Sequence, residues 1–316
     1  MEPLNIATLA KHFSDESSAW DLVESLRWPD GPVCPYCSKV VKAYRLADAL
    51  TTTGRKSYRR TWKCASCRRK FSVLVGTIFE STQIRLSKWL MAIYLLSASK
   101  NGVAAYELHR TLGVTHKTAW FMVHRIREGM KVAPFSAMFS GTVAADETWV
   151  GGKDRNRHAH KRQGHDESEK SIVLSVVSRE TGEVRSQVIP DAQGFTLSEA
   201  IGRVAAKERT ILHTDGWAGY GFIAWEFKGH EFVNHAAGEY ARNGVTTNLV
   251  EGYFGQFKRS VDGTHHHISK QHTARYLAEF DFRYSTCKIS DSERMVKLMG
   301  QTSGKRLTYK RLIGKP

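Results

Sequence analysis

The chain has 316 residues, 41% of them hydrophobic, and its 47 Lys and Arg against 31 Asp and Glu give a formal net charge of +16. This length is enough for two or three domains with buried cores, and no stretch of about 18 apolar residues is present that would span a membrane. A globular chain this basic is typical of proteins that bind nucleic acid, and a basic enzyme of another kind is the alternative. The amino end lacks the basic-then-apolar order of a signal peptide, so we expect a cytoplasmic, nucleoid-associated protein with no membrane partner.

Residues 1–30 are predicted to be a helical lead segment, and residues 31–80 contain two CxxC pairs in β-rich, turn-bounded sequence. This pattern is typical of a zinc ribbon, in which four thiolates close a tetrahedral structural site. We therefore predict one structural Zn²⁺, with four ordinary buried cysteines as the alternative. The fifth cysteine, Cys287, stands alone and is expected to be packed or without a role. The predicted zinc ligands are Cys34, Cys37, Cys64 and Cys67.

Residues 81–133 are predicted to be a helix-turn-helix DNA-binding domain. After an apolar helix, the sequence "GVAAYELHRTLGVTHKTAWFMVHRIREGM" indicates helix, turn, helix, with Thr115 as the N-cap of the second helix. One face of that helix is apolar, and the other is predicted to be a basic face that enters a major groove. A plain αα-hairpin with a solvated basic face is the alternative. The predicted DNA contacts on this helix are Lys117, Arg125 and Arg127.

Residues 138–290 follow a different pattern: strand, hairpin of two strands, helix, strand, strand, helix. The helix in this order is predicted from "GFTLSEAIGRVAAKE", with Val204 and Ala205 among its apolar positions. The order is typical of a ribonuclease-H-like α/β fold, in which helices flank a mixed sheet. Residues 291–316 would then form a basic tail.

Three acidic residues of this region are candidates for one site. In a ribonuclease-H-like fold the first and fourth strands are neighbours, Asp146 lies on the first, Asp215 ends the fourth, and Glu251 lies on the following helix. Carboxylates this close repel each other unless divalent cations bind them, so we predict a pair of Mg²⁺ or Mn²⁺ ions. The alternatives are an Asx turn for Asp215 and a solvated helix residue for Glu251. Glu147, on the opposite strand face, is expected to be an outer-shell or surface group.

Basic residues around these carboxylates are candidates for contacts with DNA phosphates. Lys258 lies two helical turns after Glu251 on the same face, and a very basic loop covers residues 151–170. A merely solvated loop is the alternative. We expect His213 and His235 to lie near the acidic site as outer-shell groups. The predicted phosphate contacts in this region are Lys153, Arg155, Arg157, Lys161, Arg162, Lys258 and Arg259.

Together these segments resemble the DDE transposases of bacterial insertion sequences, in the group with an amino-terminal zinc ribbon and an ISXO-like transposase domain. The resemblance rests on CPYC and CASC followed by "RRKFSVLVGTIFE", on "DETWVGGK", on "HTDGWAGY" with "HEFVNH", on "TTNLVEGYFGQFKR", and on "HHHISKQHTARYLAEFDFRYS". It implies that the catalytic triad falls on Asp146, Asp215 and Glu251, and that the basic residue of the family's helix falls on Lys258.

The resemblance implies an insertion-sequence transposase that binds the terminal inverted repeats of its element as double-stranded DNA. Such an enzyme cuts strands by two-metal hydrolysis and joins the 3′-hydroxyl ends to target DNA, and cutting two ends in concert implies a homodimer or larger assembly. Two alternatives stay open. One is a zinc-dependent DNA-binding regulator with an inactive nuclease-like domain, and the other is a nuclease that cuts without joining.

Overall fold

The computed structural model describes residues 5–12, 14–37, 42–47, 59–132, 137–151 and 170–314. The chain divides into two compact units. The first contains residues 1–99, 103–130 and 289–316, and the second contains residues 100–102 and 131–288. Within the described ranges, no helix is long and apolar enough to cross a membrane.

The amino-terminal part of the first unit combines two helices with a small antiparallel sheet. The helices are α1 (Ile6–His12) and α2 (Glu16–Arg27), and the sheet has the order β1 (Ala43–Arg45), β2 (Trp62–Cys64), β3 (Lys70–Phe71). The buried guanidinium of Arg60 links the two parts, because its Nη1 lies 2.5 Å from Asp21 Oδ1 and 2.9 Å from Glu24 Oε2 of α2. Helix α2 is therefore attached by Arg60 to the segment that leads into the small sheet.

Three further helices follow in the first unit: α3 (Leu86–Ala98), α4 (Ala105–Leu112) and α5 (His116–Met130). Gly113 ends α4 in a left-handed conformation with φ 58°, which glycine adopts without the steric cost of a side chain. The hydroxyl of Thr115 accepts a hydrogen bond from the backbone N–H of Thr118 at 3.2 Å, as an N-cap does. The helices and the turn therefore lie where the sequence predicts them.

Two of the three DNA contacts predicted on α5 are buried, so the prediction of an exposed basic face is wrong at these two positions. Arg125 is 3% exposed and Arg127 is 2% exposed, whereas Lys117 is exposed. The guanidinium of Arg125 donates a 2.5 Å hydrogen bond to the carbonyl of Glu80 and lies 5.4 Å from the centre of the Trp89 ring. Burial lowers the pKa of Arg125 to about 10. A long side chain with an apolar stem can pack inside a helical unit when its charged end finds such partners, which helical periodicity does not reveal.

Residues 291–316, predicted to form a basic tail, belong to the first unit. Its helix α10 (Asp291–Gly300) packs on α3 and buries Met295, Leu298 and Met299. The short helix α11 (Tyr309–Leu312) follows. The apolar residues spaced along this basic segment supply the burial that holds it in place.

The second unit is built on a mixed five-stranded sheet. Its strands are β4 (Phe139–Val150), β5 (Ser171–Ser178), β6 (Val184–Ile189), β7 (Ala205–Asp215) and β8 (Gly229–Val233), in the spatial order β6-β5-β4-β7-β8. Strand β4 is antiparallel to β5 and parallel to β7, and β7 is parallel to β8. The helices and remaining strands of this unit are α6 (Gly194–Gly202), α7 (Ala218–Gly221), β9 (Ala241–Arg242), β10 (Val245–Thr246), α8 (Asn248–Ser260) and α9 (Thr273–Ser285).

Each face of the sheet has its own hydrophobic core. Val143 and Ala145 of β4 pack in the cluster that includes α6, while Ala144 between them packs in the cluster that includes α8 and α9. This alternation is the two-residue period of a strand that is buried on both faces. Position 146 therefore shares the α8 face with Ala144.

Helix α6 is shorter than predicted. It ends at Gly202, and Ala205, predicted to be helical, begins β7. The backbone N–H of Phe139 donates to the carbonyl of Val204 at 2.8 Å, and Phe139 pairs with Ala205. Pairing with β4 thus replaces the helical hydrogen bonds that apolar periodicity predicts, because the sheet satisfies the same backbone groups.

Candidate active site and zinc centre

The register of the two central strands brings Asp146 and Asp215 to the same edge of the sheet. Ala144 of β4 aligns with His213 of β7 in the parallel ladder, and each aspartate lies two residues further along its strand. Both side chains are partly buried. Because a shift of two residues preserves the strand face, the carboxylates project from neighbouring positions on one side.

Helix α8 adds Glu251 from its first turn. The hydroxyl of Thr247, which immediately precedes α8, donates a 2.6 Å hydrogen bond to Glu251 Oε1, and Nε2 of His235 lies 3.3 Å from the same oxygen. The helix packs against β4, the strand that carries Asp146. The Glu251 carboxylate is therefore oriented by two polar neighbours before any ligand binds.

The electrostatics of Asp146 indicate that the three carboxylates face a common region. The pKa of Asp146 is raised to about 6, mainly by burial and also by the negative charges of Asp215 and Glu251, against a hydrogen bond from the backbone N–H of Glu147 at 2.8 Å. The three carboxylates do not meet the 4.8 Å spacing found for the cysteine cluster among the described residues. Hard oxygen donors that repel each other are the ligand set that Mg²⁺ and Mn²⁺ prefer, so the donor chemistry fits these ions.

Asp215 also makes the turn that was its alternative interpretation. Its Oδ1 accepts a 3.0 Å hydrogen bond from the backbone N–H of Trp217, two residues on. This contact is an Asx turn. A carboxylate has about four lone-pair positions, so the turn leaves Asp215 able to bind a cation and fixes the direction in which it points.

Glu147 is partly buried, so of its two predicted roles, outer-shell group or surface group, the surface role does not fit. Its Oε2 accepts a 2.7 Å hydrogen bond from the hydroxyl of Tyr220, which is 1% exposed, and its Oε1 is buried without a hydrogen-bond partner among the described residues. Burial raises the pKa of Glu147 to about 7, with contributions from Asp146 and Asp215. Strand alternation predicts that Glu147 lies on the face opposite to Asp146, but it does not predict the contact with Tyr220.

The remaining predicted site residues differ in their contacts and exposure. His235 contacts Glu251, whereas His213 is buried and its Nε2 lies 3.6 Å from Glu231 Oε2. Lys258 and Arg259 are exposed in the last turn of α8. The loop residues Lys153, Arg155, Arg157, Lys161 and Arg162 lie outside the described residues.

The four cysteines of the paired motifs form one cluster. All four Sγ atoms lie within 4.8 Å of one another, with 3.6 Å between Cys34 and Cys67 and 3.8 Å between Cys37 and Cys64. A tetrahedral ion with Zn–S bonds of about 2.3 Å separates its ligands by about 3.8 Å, so the cluster fits Zn²⁺. The backbone N–H of Cys67 donates to Cys64 Sγ at 3.5 Å, and this bond is the largest of several hydrogen bonds that lower the pKa of Cys64 to about 7 and favour its thiolate.

Comparisons with known proteins match the two regions of the chain that contain these residues. Residues 138–285 match the family model of the ISXO2-like transposase domain, and residues 14–70 match that of the transposase zinc-ribbon domain. A relative from Halobacterium salinarum, described as an uncharacterized protein in transposable element ISH50, is 27% identical over 302 residues. That alignment covers 92% of this chain and 97% of the relative.

Both matched domains occur in the predicted order, and the alignment with the relative extends over nearly the full length of both proteins. The four clustered cysteines supply the ligands that a transposase zinc ribbon needs for structural Zn²⁺. The chain therefore combines an amino-terminal transposase zinc-ribbon domain with an ISXO2-like transposase domain.

Proposed function

We propose that this protein binds the terminal inverted repeats of its own insertion sequence, cuts a DNA strand at each end and joins the freed 3′-hydroxyl ends to target DNA. The observation that carries the proposal is the placement of Asp146 and Asp215 on paired parallel strands, with Glu251 close enough to raise the pKa of Asp146. The strand order with this parallel central pair supports a ribonuclease-H-like fold for the second unit.

In this proposal Asp146, Asp215 and Glu251 hold two Mg²⁺ or Mn²⁺ ions. Ions bound there would polarise the scissile phosphate and favour the deprotonated form of the attacking water or 3′-hydroxyl. The protein's own part is to orient the ligands: the Trp217 N–H holds Asp215, and Thr247 and His235 hold Glu251. No covalent protein–DNA intermediate is needed.

The DNA contacts are proposed from charge and exposure. Lys258 and Arg259 follow Glu251 on α8, Lys117 is exposed on α5, and a formal net charge of +16 favours a polyanion. Helices α4 and α5 would act as the helix-turn-helix that recognises the element ends. The basic loop would add phosphate contacts through Lys153, Arg155, Arg157, Lys161 and Arg162.

Cutting two element ends in concert requires two active sites, so we propose a homodimer or larger assembly on DNA, associated with the nucleoid in the cytoplasm. A DNA-binding regulator with an inactive second unit is disfavoured because all three acidic residues are present. A nuclease that cuts without joining has the same site, and only an assay of products separates it from a transposase.

The test is strand cleavage and joining on DNA that flanks this protein's gene, in Mg²⁺, with the wild type and Asp215→Ala. Asp15→Ala is the matched control, because Asp15 also accepts a hydrogen bond from the N–H two residues on, at 3.2 Å, but caps α2 in the first unit. Nicking and joining by the wild type and Asp15→Ala, but not by Asp215→Ala, is the expected result. Binding without cutting by all three proteins would favour the regulator.

A further inference from the structure

The second unit exposes four large aromatic side chains in two neighbouring segments. Phe195 is 81% exposed, Trp217 56%, Phe222 77% and Trp225 81%. Large aromatic side chains are usually the most favourable groups to bury, and a set of exposed ones marks a binding surface. We call these four side chains the aromatic surface.

The two segments that carry the aromatic surface are in direct contact. Nε1 of Trp217 donates to the carbonyl of Ala192 at 3.4 Å. A Cβ placed on Gly194 would lie 2.9 Å from the carbonyl oxygen of Gly219 and 3.2 Å from Cβ of Phe222, so only glycine allows this approach. Phe195 follows Gly194 directly at the start of α6, and it therefore lies beside the segment that carries the other three rings.

One end of the aromatic surface, at Trp217, adjoins Asp215. The backbone N–H of Trp217 donates to Asp215, and the Nε1 of Trp225 donates to the carbonyl of Phe222 at 2.9 Å. Within the same segment, the buried hydroxyl of Tyr220 bonds to Glu147. Hydrogen bonds to Asp215 and Glu147 therefore attach the segment to the sheet, while Trp217, Phe222 and Trp225 remain exposed.

We propose that the aromatic surface binds unpaired DNA bases next to the phosphodiester that is cut at the carboxylate site. This inference rests on the proposed function. Every base has a π face that stacks on an aromatic ring, and this attraction needs no positive charge. That property suits a surface that adjoins Asp215, because carboxylates repel phosphates wherever cations do not screen them. Stacking also holds a strand end open while it is cut and joined.

The test compares the affinity of the full chain for a blunt DNA duplex and for the same duplex with a short single-stranded thymine 3′ overhang. Fluorescence anisotropy is measured without Mg²⁺, so that no strand is cut. We expect the wild type to bind the overhang duplex about tenfold more tightly. Phe222→Ala/Trp225→Ala should lose this preference and keep its affinity for the blunt duplex. Phe222→Tyr/Trp225→Phe, which keeps both rings, should retain the preference.

Val188→Ala is the control for loss of exposed apolar surface, because Val188 is 38% exposed on β6, the edge strand at the far side of the sheet. It should behave as the wild type. An equal preference in the double alanine variant, or no preference in the wild type, would overturn the proposal. A change in sedimentation of the DNA-free double variant would instead assign the aromatic surface to a second copy of this chain, and that also overturns it.

This test separates the aromatic surface from the proposed function. A chain that prefers the overhang through these rings but cuts no DNA would uphold the stacking surface and contradict the transposase. A chain that cuts and joins DNA, with the same overhang preference in the double alanine variant, would do the reverse.

Discussion

The hydroxyl of Thr247 donates a 2.6 Å hydrogen bond to Oε1 of Glu251, one helical turn further along the chain. Nε2 of His235 lies 3.2 Å from the same hydroxyl and 3.3 Å from the same carboxylate oxygen. Glu251 is the one proposed Mg²⁺ ligand that lies on a helix, and these contacts fix the position of its carboxylate. Outer groups of this kind orient a ligand before the metal binds.

Thr247→Val should weaken Mg²⁺ binding while leaving the fold intact, because valine keeps the shape of threonine but cannot donate. We expect the Mg²⁺ concentration for half-maximal cleavage to rise by about tenfold to a hundredfold, as for other losses of outer contacts. Thr247→Ser keeps the hydroxyl and should stay near the wild type. Equal Mg²⁺ titrations for both variants would show that the Thr247 hydroxyl does not position Glu251.

Zinc content provides a second prediction. The wild type should contain about one zinc per chain. Cys64→Ser should lose the zinc and unfold at a lower temperature, because the three remaining cysteines are then no longer held together by the ion. Cys287→Ser is the control, since Cys287 is exposed and outside the four-cysteine cluster. Metal analysis and thermal melts of the three proteins check this. Full zinc occupancy in Cys64→Ser would contradict the assignment.

Arg125 and Lys117 lie on the same helix and should have opposite phenotypes. Arg125→Ala removes a buried guanidinium from between Trp89 and Phe121 and should destabilise the protein by about 2–4 kcal/mol. Lys117→Ala changes an exposed residue and should leave the melting temperature within a degree or so, but should weaken DNA binding and lower the slope of its salt dependence by about 1. Melting temperatures and binding at several salt concentrations test both.

The pair would contradict the structure if Lys117→Ala unfolded the protein and Arg125→Ala left its stability unchanged. A normal salt dependence in Lys117→Ala, with unchanged affinity for the element ends, would remove α5 from the DNA contacts. It would leave the assignment of the carboxylates untouched.

Asp281 should make stability depend on pH. It accepts hydrogen bonds from Tyr253 and from the hydroxyl and backbone N–H of Ser186, and burial raises its pKa to about 6. The folded carboxyl therefore holds its proton more tightly than the unfolded one, whose pKa is about 3.9. The contribution is fully present below pH about 4 and is lost as the pH rises through about 6.

Asp281→Asn removes this titration, and its other effects are independent of pH. Relative to the wild type, the variant should therefore gain about 2–3 kcal/mol in free energy of unfolding between pH about 4 and pH about 7. Asp191→Asn is the control, because hydrogen bonds lower the pKa of Asp191, so its difference from the wild type should be flat in this range. Denaturant unfolding at several pH values measures both. A flat difference for Asp281→Asn would contradict the prediction.

The carboxylate site was predictable in part because its residues lie at positions that local pattern defines. Asp146 and Asp215 each follow an apolar run that predicts a buried strand, and the mixed sheet places those strands side by side as predicted. Glu147 shows the limit of this reasoning. Alternation assigns it to the other face, but only packing brings Tyr220 beneath it and buries one of its oxygens.

The corrections share one physical cause. A helix with Arg at several positions predicts a basic face, yet Arg125 finds the Glu80 carbonyl and two aromatic rings inside the first unit. An apolar period after Gly202 predicts more helix, yet β4 offers the same backbone groups a sheet partner. Propensity and periodicity describe a segment alone, while burial depends on what packs against it.

The sequence by itself predicted the transposase domains, the four clustered cysteines and the three acidic residues proposed as metal ligands, because each prediction depends on residue type at a defined spacing along the chain. Only the tertiary structure decided the register that aligns Asp146 with Asp215 and the burial of Arg125 and Arg127. It also decided the packing of α10 on α3 and the contact between the two segments that carry the exposed aromatic rings. These features join residues far apart in the chain. Their energies come from burial and from partners that no local pattern contains.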